Sequence, residues 1–226
     1  MYKRPSTMRN KVYQAIKENI CNGIYRPGQQ LHEEELARQL QVSRSPVREA
    51  LLNLVSDGLA VNFPHRGVFV KEFTPEEITE IFDVRVLLES YAILHSVGHI
   101  TPELGEKMVD CLHSLTQCYE QQTLPEYINC DTRLHQLMIE AGGNSLITSM
   151  YEKVFYMIQP FRVYSLAGKV RFDQSVIEHR NIVHSLLTGN VEEANRLNRE
   201  HLSLALSEIL KNQAAYTAKP THEPEA

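Results

Sequence analysis

Val42-Ser43-Arg44-Ser45-Pro46-Val47-Arg48-Glu49-Ala50-Leu51 is the stretch on which the fold turns. Ser43 or Ser45 can cap a helix here, and Pro46 falls in the first turn, where backbone N–H groups have no intrahelical partner. Val47, Ala50, Leu51 and Leu54 then share one face, while Arg44 and Arg48, four apart, share another. The pattern predicts a helix from Ser45 to Asp57, ended by Gly58. Just upstream, Glu33 to Leu40 reads as a short helix, with only Gln41-Val42-Ser43 between the two. Two short helices joined so tightly form a helix-turn-helix. Working outward, Val12, Ile16 and Ile20 recur every fourth residue between Met8 and Asn22, and Gly23 follows, so a further amphipathic helix precedes the motif. On the other side, Leu59 to Phe63, the turn Pro64-His65-Arg66-Gly67 and Val68 to Val70 read as a β-hairpin with a basic tip, a wing.

Charge divides the same way. The chain of 226 residues has a net charge of -5, which spread evenly would argue against nucleic acid. Split at Lys71, residues 1–71 hold 11 Lys+Arg against 6 Asp+Glu, and residues 72–226 hold 12 against 22. Only the first part can face phosphate. The start of a second helix of such a motif enters the major groove, where Arg44 and Arg48 can pair with guanine edges and the Ser43 and Ser45 hydroxyls can reach phosphate. Surface pairing of the arginines with Glu49 or Asp57 is the competing reading.

After Lys71 the texture becomes helical throughout. Thr74-Pro75-Glu76-Glu77 is a capping box with proline at the first helical position. Breaks at Thr101-Pro102, Leu124-Pro125, Gly142-Gly143-Asn144, Gly168 and Gly189-Asn190 divide residues 75–211 into about six helices with no strand-like alternation. The expected architecture is therefore mainly α: a winged helix-turn-helix over residues 1–71, an all-α antiparallel bundle over 72–212, and a tail at 213–226 without apolar periodicity. No apolar run approaches the roughly 18 residues that span a bilayer, and no export signal opens the chain, so a cytoplasmic protein is expected. Cys21, Cys111, Cys118 and Cys130 lack CxxC spacing and read as reduced, half-buried thiols.

Ten histidines are present. Most sit at helix ends or on polar stretches. Asp131 and His135 at i,i+4 on one helix, His179 on a later one and His201 on the last form a set that a bundle could aim at one interior point. A carboxylate and three imidazoles suit zinc, with nickel or manganese as alternatives. Such an ion would compete with protons in the usual histidine range near ~6.5. Spacing alone leaves satisfied core histidines as an equal reading. His184, about 140° further round its helix than His179, should point elsewhere.

Residues 12–71 resemble the winged-helix domain of the GntR family of bacterial regulators, through Pro27-Gly28, Leu36-Ala37, Val42 to Leu51 and Arg66-Gly67. The resemblance implies DNA contacts at Ser43, Arg44, Ser45 and Arg48, with His65, Arg66 and Gly67 at the wing tip near the minor groove. Glu34 stands where some relatives have an arginine, so operator preference can differ. Residues 75–210 resemble the FCD-type effector domain of the FadR-like branch, through Arg85-x-x-x-Glu89, Asp131-x-x-x-His135 followed by Gly143-Asn144, Glu178-His179 followed by Gly189-Asn190, and His201. That resemblance implies a divalent metal on Asp131, His135, His179 and His201, and a small carboxylate effector beside it. Arg85 and Arg162 would then be effector anchors, with a salt bridge such as Arg85 to Glu89 as the competing role. The implied protein is a homodimeric, ligand-responsive regulator that binds a near-palindromic operator. Its dimer surface is expected on the helix after Thr74, where Ile78, Ile81, Phe82, Val84, Leu87, Leu88 and Tyr91 exceed one face. Two rivals fit less well. A metal-dependent hydrolase tethered to a DNA-binding module would want a general-base pattern, and no His-Glu-x-x-His occurs. A purely architectural DNA binder leaves the polar cluster of the helical part without a role.

Overall fold

The computed structural model describes residues 7–166 and 168–217, with the side chains of Val163 and of 213–217 left aside. The chain divides into two compact units, one holding the residues up to Thr74 together with Phe155–Pro160, the other holding Pro75–Val154 and the residues from Phe161 onward.

The first unit comprises α1 (Met8–Cys21), α2 (Glu33–Gln39), α3 (Arg44–Ser56), β1 (Ala60–Phe63) and β2 (Gly67–Val70). Thr7 caps α1 by accepting from the Asn10 backbone N–H. The tight connection between α2 and α3 is closed by Gln41 in a left-handed conformation, at φ 55°. Ser43 is the N-cap residue of α3, but its hydroxyl makes no cap hydrogen bond, and the helix starts at Arg44 rather than Ser45. Val47, Ala50, Leu51 and Leu54 are buried against Val12, Ile16, Ile20, Leu31, Leu36 and Leu59, the core that the periodicity predicts. The strands pair antiparallel, Ala60 with Val70 and Phe63 with Gly67. A feature absent from the sequence reading is a bridge from Gln30 to Phe69, which ties the segment before α2 to the wing. Residues of 155–160 belong to this unit through Tyr156 and Met157, which pack on its core.

The second unit is helical: α4 (Pro75–Leu94), α5 (Pro102–Glu120), α6 (Leu124–Ala141), α7 (Ser145–Ile158), a 3-10 turn (Gln159–Phe161), α8 (Arg162–Ser165), α9 (Lys169–Leu187) and α10 (Val191–Thr217). The expected breaks fall where helices end. Asn144 Oδ1 accepts from the Leu146 N–H at the start of α7, and Asn190 does the same for Glu193 at the start of α10. At the end of α6, a Cβ on Gly142 would lie 2.6 Å from the Ala92 Cα, so the close approach of α6 to α4 requires glycine there. Two details depart from the expectation. The region near Gly168 contains an extra turn of 3-10 helix and the short α8, and α10 runs past Asn212 to Thr217. The rest of the expected tail, 218–226, lies outside the described residues. Among the described residues, no helix is long and apolar enough to cross a membrane.

α5 packs on α6 and α9, and α10 on α4, α8 and α9. One apolar cluster, with Met108, Leu115, Tyr127, Leu134, Phe172 and Val176, fills the space between α5, α6 and α9. Another, with Ile93, Met138, Ile182, Leu186 and Ala194, joins α4, α6, α9 and α10. The polar residues between these clusters are therefore held by packed helices on all sides.

Candidate DNA-reading surface and metal centre

Ser43, Arg44, Ser45 and Arg48 are all exposed at the start of α3, and His65, Arg66 and Gly67 are exposed at the wing tip. His65 takes φ 63°, the left-handed turn position of the hairpin. The Arg66 carbonyl accepts from Gln30 Nε2 at 2.7 Å, and its guanidinium lies 5.7 Å from the ring centres of both Phe63 and Phe69. The wing tip is thus braced by aromatic faces and by the segment before α2. Arg44 and Arg48, the candidate base readers, are not free. Arg44 pairs with Glu34 at 2.8 Å, and Arg48 meets Glu33 through two nitrogens at 3.0–3.2 Å. These partners replace Glu49 and Asp57: Glu49 lies 3.8 Å from Arg9, and Asp57 accepts from the Tyr13 hydroxyl. The start of α2 rather than the rest of α3 neutralises the surface, because the helix-turn-helix crossing brings the two helix starts together.

In the second unit, Asp131 and His135 come from α6, His179 from α9 and His201 from α10, all buried. One ligand atom from each lies within 4.8 Å of all the others. His179 Nε2 is 2.9 Å from Asp131 Oδ1 and 3.4 Å from His135 Nε2. Outside this point, each imidazole is held by its other nitrogen. His135 Nδ1 faces Glu89 Oε2 at 3.0 Å, His179 Nδ1 faces the Ser175 carbonyl at 2.8 Å, and His201 Nδ1 faces Glu178 Oε2 at 2.7 Å. Carboxylates and carbonyls only accept, so His135 and His179 donate through Nδ1, while His201 Nδ1 lies between the acceptor Glu178 Oε2 and, at 3.3 Å, the donor Arg171 Nη2. The Nε2 lone pairs of His135 and His179 are then left without protons, both facing Asp131 Oδ1, at 3.9 and 2.9 Å. Burial, with help from Arg85 and His179 against the pull of Glu89, pushes His135 down to about 4. Burial likewise takes His179 to about 4, although the Ser175 carbonyl opposes it, and lowers His201 well below the ordinary range. Lone pairs and a carboxylate turned toward one another, none protonated at neutral pH, form a cluster suited to a cation.

Glu89 organises the surroundings. Its carboxylate accepts from Arg85 Nε at 2.8 Å, the Tyr151 hydroxyl at 2.9 Å, His135 Nδ1 at 3.0 Å and Asn198 Nδ2 at 2.9 Å, so it ties α4 to α6, α7 and α10. Burial alone would raise its carboxyl, but Arg85 and His135 outweigh that and hold it ionised. Arg85 therefore takes the salt-bridge role, yet its Nη2 is buried without a hydrogen-bond partner. Arg162 pairs with Asp131 Oδ2 and has Nε and Nη2 buried without one. Arg171, which the sequence reading did not single out, is a third buried arginine, with Nη1 2.9 Å from Glu178 Oε2. Tyr151, Ser175, Glu178 and Asn198 were also missed as supports. Only the Glu178-His179 adjacency and the Arg85 to Glu89 spacing offered a signal. His184, His95, His99 and His113 are exposed and take no part.

Comparison with known proteins agrees with this division. The gntR family of bacterial regulatory proteins matches residues 8–70, and the FCD domain family matches residues 80–204. The chain is 27% identical over 194 residues to the uncharacterised HTH-type transcriptional regulator YdhC of Bacillus subtilis, covering 84% of this chain and 86% of that one. It is 27% identical over 161 residues to the gluconate operon transcriptional repressor of the same species, covering 71% and 66%. The solved structure of Escherichia coli McbR/YncC shares the fold with a TM-score of 0.81 at 22% identity, over 92% of this chain and 99% of that one. With a winged helix-turn-helix in front and an FCD domain behind, the chain belongs to the GntR family of transcription regulators.

Proposed function

We propose that the protein is a homodimeric, sequence-specific regulator whose operator affinity responds to a small carboxylate bound beside a divalent metal ion. One observation carries the reading: the ligand atoms of Asp131, His135, His179 and His201 within 4.8 Å of one another, with the outer nitrogen of every imidazole held by an acceptor. These four residues would hold the ion, which when bound supplies a Lewis-acidic point for an anionic ligand. Zinc suits the donor set, with nickel or manganese as alternatives. Arg85 Nη2 and Arg162 Nε and Nη2 are buried donors in need of acceptors, and an effector carboxylate would satisfy them. Because burial keeps His135 and His179 neutral down to about 4, proton competition with the metal begins below the ordinary histidine range.

The exposed Ser43, Arg44, Ser45 and Arg48 would read the major groove, and His65, Arg66 and Gly67 would approach the backbone or minor groove. Val84, Leu87 and Tyr91 remain exposed on α4, spaced three and four apart, while Ile78, Phe82 and Leu88 are buried. That leftover stripe supports dimerisation through the helical unit. A relative named as a repressor favours repression. The reading is tested by metal analysis of protein purified without chelator, and by operator binding with and without metal and a panel of small carboxylates. One bound ion per chain, lost in His179→Ala, with a carboxylate-dependent change in operator affinity is expected. No bound ion, and a melting temperature unmoved by zinc, nickel or manganese, would reduce the four residues to a polar core.

A further inference from the structure

Three arginines of the helical unit are almost out of water: Arg85, Arg162 and Arg171 are 2, 4 and 6% exposed. Each meets one carboxylate, Glu89, Asp131 and Glu178 in turn. Donors remain even so. Arg85 Nη2, Arg162 Nε and Nη2, and Arg171 Nε and Nη1 have no hydrogen-bond acceptor, although Arg171 Nη1 stands 2.9 Å from Glu178 Oε2. Burial first, and then the Arg85 charge, push the Arg162 guanidinium well below its ordinary range, while Asp131 against it keeps it ionised. Two cations thus crowd one another. Three positive charges face three negative ones, and the imidazoles add none, since only their neutral form can ligate. A divalent ion on Asp131 and the three histidines would bring two further positive charges into this balanced cluster. Among the described residues, Glu89 and Asp131 are the buried carboxylates, and both are already counted.

We propose that the effector is a dianion, a small dicarboxylate that answers both charges of the ion and satisfies the open donors of Arg85 and Arg162. The inference rests on the metal and carboxylate reading above and narrows it to one ligand class. A monocarboxylate would leave one positive charge unanswered out of water, which is costly. The shape of the cluster favours two separate carboxylates over one compact anion. Asp131 has Oδ1 on the ligand side, 2.9 Å from His179 Nε2, and Oδ2 on Arg162. The positive points that call for an anion are therefore spread to either side of a carboxylate. Two carboxylates joined by a short chain can meet the ion and a guanidinium fork together, whereas a phosphate gathers its charge on one centre. Arg171 takes part differently: it contributes charge from behind His201, whose Nδ1 lies 3.3 Å from its Nη2.

The test is titration calorimetry on the full-length protein loaded with zinc, near neutral pH, with metal content measured alongside. Succinate is compared with succinamate, and malonate with malonamate, pairs that differ by one charge at nearly constant size. The dicarboxylate of at least one pair should bind about 100-fold more tightly than its monoamide, the scale on which an unpaired buried charge counts. Arg171→Met removes one charge without removing an anchor, so it should shrink that preference. Equal affinity within both pairs, or inorganic phosphate binding more tightly than either dicarboxylate, would overturn the proposal while leaving the metal reading intact. Failure to take up zinc would overturn both, because the cluster is then balanced as it stands. If Arg171→Met folds poorly, the wild-type pairs decide alone.

Discussion

In the winged-helix unit Arg44 and Arg48 stand in water, paired at 2.8 and 3.0 Å with Glu34 and Glu33. In the helical unit Arg85, Arg162 and Arg171 are buried, each against a carboxylate from Glu89, Asp131 or Glu178. The residue types are the same and their solvent differs. An exposed ion pair contributes about 0–1 kcal/mol and is weakened by salt, so its arginine can be handed over to phosphate or guanine at little cost. A buried pair is sustained only by its complete set of partners, and removing one leaves an unpaired charge out of water. The first arrangement suits a surface that exchanges partners. The second suits a site whose unsatisfied donors wait for a ligand.

The contrast is tested most severely by Glu89→Ala. It strands Arg85 and removes the acceptor that orients His135, so a loss of about 3–5 kcal/mol in urea unfolding is expected. A loss under about 1 kcal/mol, the size expected of a surface pair, would show that the cluster is not a buried network. Next in size, Arg44→Ala should weaken operator binding by about 1–3 kcal/mol and relax preference at one base position, with folding stability unchanged. Unchanged affinity and base preference would remove Arg44 from the readout. Arg66→Ala should weaken binding more evenly across sequences and lower the salt dependence; an unaltered salt slope would detach the wing from the nucleic acid.

Acidity separates the units as well. With His135 and His179 near 4 in the folded chain and ~6.5 when unfolded, the unfolded state takes up protons between those values that the native state refuses. Stability of the metal-free protein should therefore fall as pH drops from about 6.5 toward 4 and show no histidine contribution above that window. Denaturation midpoints that stay level between pH 7 and pH 5 would mean that these imidazoles are solvated or already charged. The smallest effect is expected from Glu34→Gln. Losing a carboxylate that competes for Arg44 should raise operator affinity a few-fold at low salt, with the gain fading as salt rises. Reduced affinity would instead make Glu34 a positioning partner for Arg44.

Much of the DNA-reading unit was legible because its signals are local. The spacing of Val47, Ala50, Leu51 and Leu54, the tight Gln41-Val42-Ser43 connection and the alternation around Arg66-Gly67 each act within a few residues, where helical and strand periods decide which side chains are buried. The candidate ligands Asp131, His135, His179 and His201 were legible as residue types and through family resemblance, but their spacing could not distinguish a ligand set from core histidines. That distinction rests on which group holds each Nδ1, and two of the three, Glu89 for His135 and Glu178 for His201, arrive from other helices.

Helical period and break residues alone thus determined the helix-turn-helix, the hairpin and the succession of long helices. Tertiary structure alone decided the partners: that Arg44 and Arg48 meet Glu34 and Glu33 instead of Glu49 and Asp57, and that Glu89 gathers Arg85, His135, Tyr151 and Asn198. The physical reason is range. Backbone hydrogen bonding and side-chain period act over one or two turns, whereas a buried charge takes whichever opposite charge the packing of distant helices delivers to it.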